Sequence, residues 1–185
     1  MSRLITLTAL ALTAFATVPA LHAANFQVDG SHAFATFKVG HLGIGNTVGR
    51  FNDISGEVDL DNGKIEITIR TASVDTQDEK RDQHLKGPDF FNVKQFPVMK
   101  FKATSVKPAG NDRFRVEGKM TIRGKSKNIS LELIKIGEGK DPWGGYRLGF
   151  ESTFTVKRED FGLDFMPGGI GSEVEIYVSL EALKK

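Results

Sequence analysis

Ile54-Ser55-Gly56-Glu57-Val58-Asp59-Leu60-Asp61-Asn62-Gly63-Lys64-Ile65-Glu66-Ile67-Thr68-Ile69 is the stretch that decides the fold. Apolar side chains stand at Ile54, Val58 and Leu60, then at Ile65, Ile67 and Ile69. That period of two marks half-buried strands. Asn62-Gly63 between them is the strongest short hairpin signal, because both central residues of such a turn take positive φ. A two-residue loop sets Leu60 opposite Ile65 and Val58 opposite Ile67, so the apolar residues of both strands share one face. The same register sets Asp59 opposite Glu66, a pair tolerable only on a wet face.

The alternation continues in both directions. Phe114, Val116, Gly118, Met120 and Ile122 alternate with charged or polar residues, and Ile129, Leu131 and Leu133 do so after the turn Arg123-Gly124-Lys125-Ser126-Lys127. Further strands are expected over Ala33–Val39, Met99–Ser105, Tyr146–Val156 and Val174–Leu180. The total is about eight, joined after residue 98 mainly by short turns, which favours an antiparallel meander closing into a barrel or folding as a sandwich. One segment departs from the period. Thr76-Gln77-Asp78-Glu79 has the form of a capping box with Thr76 as N-cap, and Lys80 to Lys86 continues as a short surface helix until Gly87-Pro88 stops it. Phe90, Phe91, Phe96 and Pro97 then read as a cap over one barrel end.

Phenylalanine dominates the aromatic content, with 14 Phe against one Trp and two Tyr. A buried Phe brings apolar area and no polar atom in need of a partner. The first segment stands apart from this pattern. Arg3, the Leu-, Ala- and Thr-rich run from Leu4 to Val18, and the small residues ending at Ala23-Ala24 read as a secretory signal over residues 1–23, cleaved after Ala23 or Ala24. Residues 24–185 then make one domain, large enough to bury roughly 70% of its unfolded surface. There is no cysteine, which removes disulfides, thiol catalysis and Cys metal sites. The net charge is +2 with no basic stripe, so electrostatics makes no case for nucleic acid.

Candidate chemistry is sparse. His32, His41 and His84 are too far apart in sequence for the tight spacing of zinc sites. Gly124-Lys125-Ser126 resembles the end of a phosphate loop, but the required upstream glycine is Lys119 and the context is a hairpin. Gly40-His41-Leu42-Gly43-Ile44-Gly45 lacks the dinucleotide spacing and reads as an apolar turn at a barrel mouth. Glu159 and Asp160 are adjacent, so on a strand they point to opposite faces. No nucleophile elbow is present. The apolar stripes fit any β core; an eight-stranded barrel with Met and Phe on its inner face also suits one small apolar guest.

An ordered set of short motifs carries a resemblance across the whole exported part of the chain. Asp29-Gly30-Ser31-His32-Ala33-Phe34 and Phe37-Lys38-Val39-Gly40-His41 open it, followed by Gly49-Arg50-Phe51 and Gly56. Arg81-Asp82-Gln83-His84-Leu85, Asp89-Phe90-Phe91, Phe96-Pro97 and Phe101 come next. Gly118-Lys119-Met120-Thr121-Ile122-Arg123-Gly124-Lys125, Lys157-Arg158-Glu159-Asp160-Phe161-Gly162 and Gly171-Ser172-Glu173-Val174 close it. The chain resembles the YceI-like family of polyisoprenoid-binding proteins. It departs from that pattern at Met120, where Leu is usual, at Lys125-Ser126-Lys127, and at Ser31-His32, where His-Ser is common.

The resemblance implies an all-β fold, an eight-stranded antiparallel lipocalin-like β-barrel with a short helix and a capping segment. It implies a periplasmic protein, dimeric in some relatives, that holds an isoprenoid lipid or quinone as ligand, with no cofactor, no metal and no reaction of its own. Transient contact with a membrane or lipid donor goes with such a role. An enzyme acting on an apolar substrate in the same cavity and a barrel with a filled core are the alternatives. The expected lining is Phe34 or Phe37, Phe51, Met99, Phe101, Met120, Phe150, Phe154 and Ile176, joined by Leu85 and Phe90 from the helix and cap. His32, His41, His84 and Arg158 are candidates for a polar head group or for bracing the rim.

Overall fold

A computed structural model describes residues 25–185; the expected signal segment lies outside them. Ten strands form one antiparallel sheet: β1 (Phe26–His41), β2 (Gly45–Phe51), β3 (Ile54–Asp59), β4 (Lys64–Arg70), β5 (Val74–Asp75), β6 (Val98–Gly110), β7 (Arg113–Ile122), β8 (Lys125–Lys140), β9 (Tyr146–Lys157) and β10 (Ile170–Lys184). Eight of them close a barrel in the order β1-β3-β4-β6-β7-β8-β9-β10, and β10 pairs back onto β1 from Phe26↔Lys184 to His41↔Ile170. β2 carries on along β1 where β3 stops, with Phe51↔Ala35 and Gly45↔His41, and β5 adds a two-residue pairing to β2. The β8–β9 ladder runs only from Ile134↔Glu151 to Lys140↔Tyr146, so 125–133 of β8 and 152–157 of β9 have no ladder between them.

The alternation read from the sequence sets the inner face. Ile54, Val58, Ile65, Met99, Val116, Ile122, Leu133, Leu148, Phe150 and Leu180 are all buried. The register of the first hairpin differs from the expectation by two residues. Val58 pairs with Ile65 and Asp59 with Lys64, so the loop is Leu60–Gly63. The Asp59 carboxylate is the reason: it accepts hydrogen bonds from the Asn62 amide N–H at 3.0 Å and from Asn62 Nδ2 at 2.8 Å. That side-chain turn, closed by Gly63 at φ +65, lengthens the loop. A shift of two preserves the inward face. It also moves the like-charge opposition to Glu57↔Glu66 on the outer face. There Lys64 and Lys185 pair with Glu57, and Lys102 pairs with Glu66.

The second hairpin uses only Arg123-Gly124 as its turn, both at positive φ, with Ile122 opposite Lys125. The helix α1 spans Glu79–Lys86, and its N-cap is Asp78, whose side chain accepts from the Arg81 amide. Thr76 is therefore not the cap. Its hydroxyl donates to Asp82 Oδ1 at 2.6 Å and its oxygen accepts from Arg81 Nε at 2.8 Å, which fastens the first turns of α1 to the strand before it. Gly87 ends the helix as expected.

The two barrel ends differ. At one, Phe26, Val28, Val58, Leu148 and Ala182 pack into a nearly solvent-free plug beneath the turns Leu60–Gly63, Asn111-Asp112 and Asp141–Gly145. At the other, α1 and residues 87–97, the turn Arg123-Gly124 and residues 158–169 form a lid. Arg123 ties the lid together by donating to the carbonyls of Pro88, at 2.6 Å, and Gly162. A second apolar cluster lies beneath it, with Phe51, Val74, Met99, Ile122, Phe161 and Leu163.

Candidate functional site: an apolar cavity under the lid

Between plug and lid the inner stripes do not meet, and a cavity of about 210 Å³ remains. That is well above the roughly 10–15 Å³ needed to hold a single water, so the space has room for a guest of several heavy atoms. Its floor is Ile65, Val116, Leu133, Phe150 and Leu180 from the top of the plug. Ile67, Phe101, Met120, Leu131, Phe154, Ile176 and Val178 form the walls. Phe37, Phe51, Leu85, Phe90, Phe91, Phe161 and Leu163 form the roof. Few waters would find hydrogen-bond partners there, so the space favours hydrocarbon over water.

Glycine makes room for two of the aromatic rings. A Cβ on Gly118 would lie 2.4 Å from Phe101 Cζ, and one on Gly49 would lie 2.4 Å from Phe37 Cζ. The far end of each ring therefore occupies the space a side chain would take on the neighbouring strand. In the roof, Phe51 meets Phe37 at 5.8 Å and Phe91 edge-on at 5.4 Å between ring centroids.

The polar groups at the cavity are few, and two of them, Ser152 and Arg158, are engaged. Ser152, on the inner stripe of β9, donates its hydroxyl to the Glu132 carbonyl at 2.6 Å. Arg158 is only 4% exposed. Its Nε donates to Gly171 O at 2.9 Å, Nη1 to Leu163 O and to Phe165 O at 3.0 Å, and Nη2 to Ile170 O at 3.1 Å. Nη2 also lies 3.4 Å from the Glu159 carboxylate. A guanidinium has five N–H donors, and four of them go to these carbonyls. Arg158 is thus a clasp that folds residues 162–171 over the barrel. Thr36 and Lys100 also border the space, but no acid and no histidine does among the described residues.

Of the residues expected to line a pocket, Phe37, Phe51, Leu85, Phe90, Met99, Phe101, Met120, Phe150, Phe154, Ile176 and Arg158 all border this cavity. Four others lie elsewhere. Phe34 points outward at 51% exposure, because Ala33 and Ala35 on either side take the inward positions. His32 is exposed at the plugged end, where Nδ1 lies 3.0 Å from Asp29 and 3.0 Å from Ser31. His41 is exposed at the end of β1. His84 faces solvent above the roof, 3.0 Å from Asp89, with its ring edge-on to Phe90 and Phe165. The sequence reading did not single out Phe161 and Leu163 as roof residues. They follow Arg158 in a segment with no strand period, and only the clasp turns them inward.

The strongly shifted acids lie outside the cavity. Hydrogen bonds from Ser31 and then Arg147 hold the Asp29 carboxyl far below the usual range. Hydrogen bonds from Lys185 and Lys64 hold Glu57 down at about 2. Arg147 donates to Asp29 at 2.7 Å, to Asp141 at 3.0 Å and to Glu181 at 3.0 Å, so these groups staple the plugged end.

Fold and site together define a small antiparallel barrel built around an apolar cavity, roofed at one end and plugged at the other. The chain belongs to the YceI-like family: residues 26–182 match the YceI-like domain. It is 41% identical over 188 residues to a UPF0312 protein of Pseudomonas aeruginosa, covering 97% of this chain and 98% of the relative. It is 40% identical over 173 residues to a UPF0312 protein of Shewanella oneidensis, covering 90% and 91%. Among solved structures it is similar to BcnA of Burkholderia cenocepacia, at 26% identity and TM-score 0.75 over 84% of this chain and 99% of that one. The Campylobacter jejuni YceI protein matches at 31% identity and TM-score 0.67 over 79% and 90%. A polyisoprenoid binding domain from Saccharophagus degradans matches at TM-score 0.70 over 86% and 98%; at 16% identity that likeness speaks to the fold alone.

Proposed function

We propose that this protein is a periplasmic carrier that sequesters an isoprenoid lipid, a quinone or polyprenyl chain, in its barrel without altering it chemically. The observation that carries the reading is the cavity lining, which is apolar apart from Thr36, Lys100, Ser152 and Arg158 and includes neither acid nor histidine among the described residues. A branched, unsaturated chain fits walls of Phe, Met, Ile and Leu that adapt in shape. Burying it gains about 25 cal/mol per Å² of apolar area before the cost of ordering the chain. Arg158 spends four of its five donors on lid carbonyls and Ser152 spends its one on Glu132, which supports a head group lying toward the lidded end. The description of the Saccharophagus degradans neighbour as a polyisoprenoid binding domain agrees with this ligand class.

Organic extraction of protein purified from its native compartment, followed by mass spectrometry, tests the reading. A stoichiometric prenyl lipid is the expected result. Protein that is empty there, and that takes up neither a quinone nor a prenyl alcohol from detergent micelles, would overturn it.

A further inference from the structure

We propose that the lidded end docks on a lipid bilayer through a ridge of apolar side chains carried by two adjacent loops. Leu42 and Ile44 form the tip between β1 and β2, and Phe165 and Met166 lie in the loop before β10. Leu42 N–H donates to Gly169 O at 2.7 Å and His41 pairs with Ile170, so the two tips are joined. All four side chains face solvent, and Ile44 is 86% exposed. Leu42 at φ 54 and Met166 at φ 52 occupy the left-handed region, which side chains bearing a Cβ rarely adopt. Gly and Asn are the usual residues at such positions, though Arg123 also adopts one in the β7–β8 turn. Here two large apolar groups occupy them and stay about half exposed, Leu42 at 48% and Met166 at 44%, with the Met166 side chain lying along Gly169.

The ridge is continuous with the cavity roof. The Phe165 ring packs on Phe90 at 5.2 Å, and Phe90 lines the cavity. A bilayer is the occupant these features fit. Charges around the ridge balance: Lys127 pairs with Asp160 at 3.5 Å, Lys38 with Glu175 at 2.8 Å and Arg158 with Glu159 at 3.4 Å, while Lys125 and Lys157 are matched in number by Asp164 and Glu173. No excess of either sign is left to select a charged partner, so the contact depends on apolar insertion. Four side chains on two loops also fall far short of the roughly 800 Å² per partner that a stable dimer buries. The inference rests on the lipid reading of the cavity for its purpose, while its geometry stands independently.

The chain's one tryptophan supplies a control at the other end of the molecule. Trp143, 81% exposed, sits in the turn Asp141–Gly145 beside the plug. The test is flotation with phosphatidylcholine vesicles. The wild-type protein should bind, with little change between low and high salt. The Ile44→Ser/Met166→Ser variant should lose binding at least tenfold while its melting temperature stays at the wild-type value. Trp143 emission should not shift on adding vesicles, whereas Ile44→Trp in a Trp143→Phe background should shift to the blue. Failure of the wild-type protein to bind vesicles, unchanged binding by the double variant, a blue shift of Trp143, or steep loss of binding with salt would each overturn the proposal. So would a wild-type dimer that the double variant dissolves, since a second copy would then cover the ridge. Loading with a prenyl alcohol from detergent micelles separates the two readings. The double variant should load normally, and a wild-type protein that fails to load there counts against the cavity reading instead.

Discussion

Replacing Arg158 with alanine removes the clasp of the lid, and its cost can be worked from the contacts. Four carbonyls, those of Leu163, Phe165, Ile170 and Gly171, lose a charged donor at once. Hydrogen bonds to charged groups contribute about 1.5–3 kcal/mol each. They share one guanidinium and do not add, and the relieved burial of the cation offsets part of the loss. The net destabilisation should match that of breaking a buried ionic network, about 3–5 kcal/mol. For a domain of this size that is a fall of roughly 6–20 °C in melting temperature. Arg158→Lys should recover only part of it, because one ammonium cannot span the fork of carbonyls that a guanidinium reaches. The loss should also be local. Hydrogen exchange followed by mass spectrometry should show residues 162–171 deprotected ahead of the plug strands, and lipid retention should drop as Phe161 and Leu163 leave the roof. A fall below about 2 °C, with unchanged exchange over 162–171, would refute the clasp.

Gly118→Ala should push the Phe101 ring from its bed, since a Cβ there would meet Cζ at 2.4 Å and Lys102 O at 2.8 Å. Ordinary carbon contacts lie near 3.5–4.0 Å, so we expect overpacking of about 1–3 kcal/mol. Urea denaturation reads this as a lower midpoint, and an unchanged midpoint would count against the ring placement. Acid should destabilise the fold. Asp29, Glu57, Glu66, Asp75 and Asp141 all have folded pKa values below their ordinary 3.8 or 4.5, held down by hydrogen bonds from Ser31, Lys185, Lys102, Gln77 and Gly145 respectively. A depressed acid stabilises above its unfolded pKa and loses that contribution as pH falls through the folded one. The urea midpoint should therefore change little between pH 7 and 5 and drop steadily from about pH 4.5 toward 2. A midpoint that rises below pH 4 would contradict these pairings.

Much of the barrel was legible because its strands obey a period of two. The stripes at Val116, Met120, Phe150, Phe154 and Ile176 all face the cavity, as alternation requires. What escaped had local causes. β2 reads Gly-Asn-Thr-Val-Gly-Arg-Phe, with too few apolar residues to register as a strand, and it forms because β1 outruns β3 and offers a free edge. The hairpin register slipped because Asp59 turns its carboxylate into the loop, a local side-chain turn that the Asn-Gly pair by itself does not reveal. The cap of α1 moved from Thr76 to Asp78 because Thr76 is held by Asp82 and Arg81. Phe34 and Phe37 lie on opposite faces of β1, and only the burial of Ala33 and Ala35 settles which of them is inside. The histidines stood in the motifs that carry the family resemblance, but hydrogen bonds with Asp29 and Asp89 hold His32 and His84 on the surface.

The seam between β1 and β10 has a consequence for how the chain folds. Phe26 pairs with Lys184, and the Lys185 amide donates to the Asn25 carbonyl at 2.9 Å, so the first and last described residues are zipped together. Contacts so distant along the chain are slow to form. The other strand pairs join near neighbours in sequence and can assemble earlier as an open, curved sheet. Such a sheet shows its phenylalanine-rich concave face and two bare edges until the final strand arrives, which is the form most prone to aggregate. Substitutions along Val174–Ala182 should therefore lower soluble yield more than their effect on the melting temperature suggests, because they delay closure as well as weaken it.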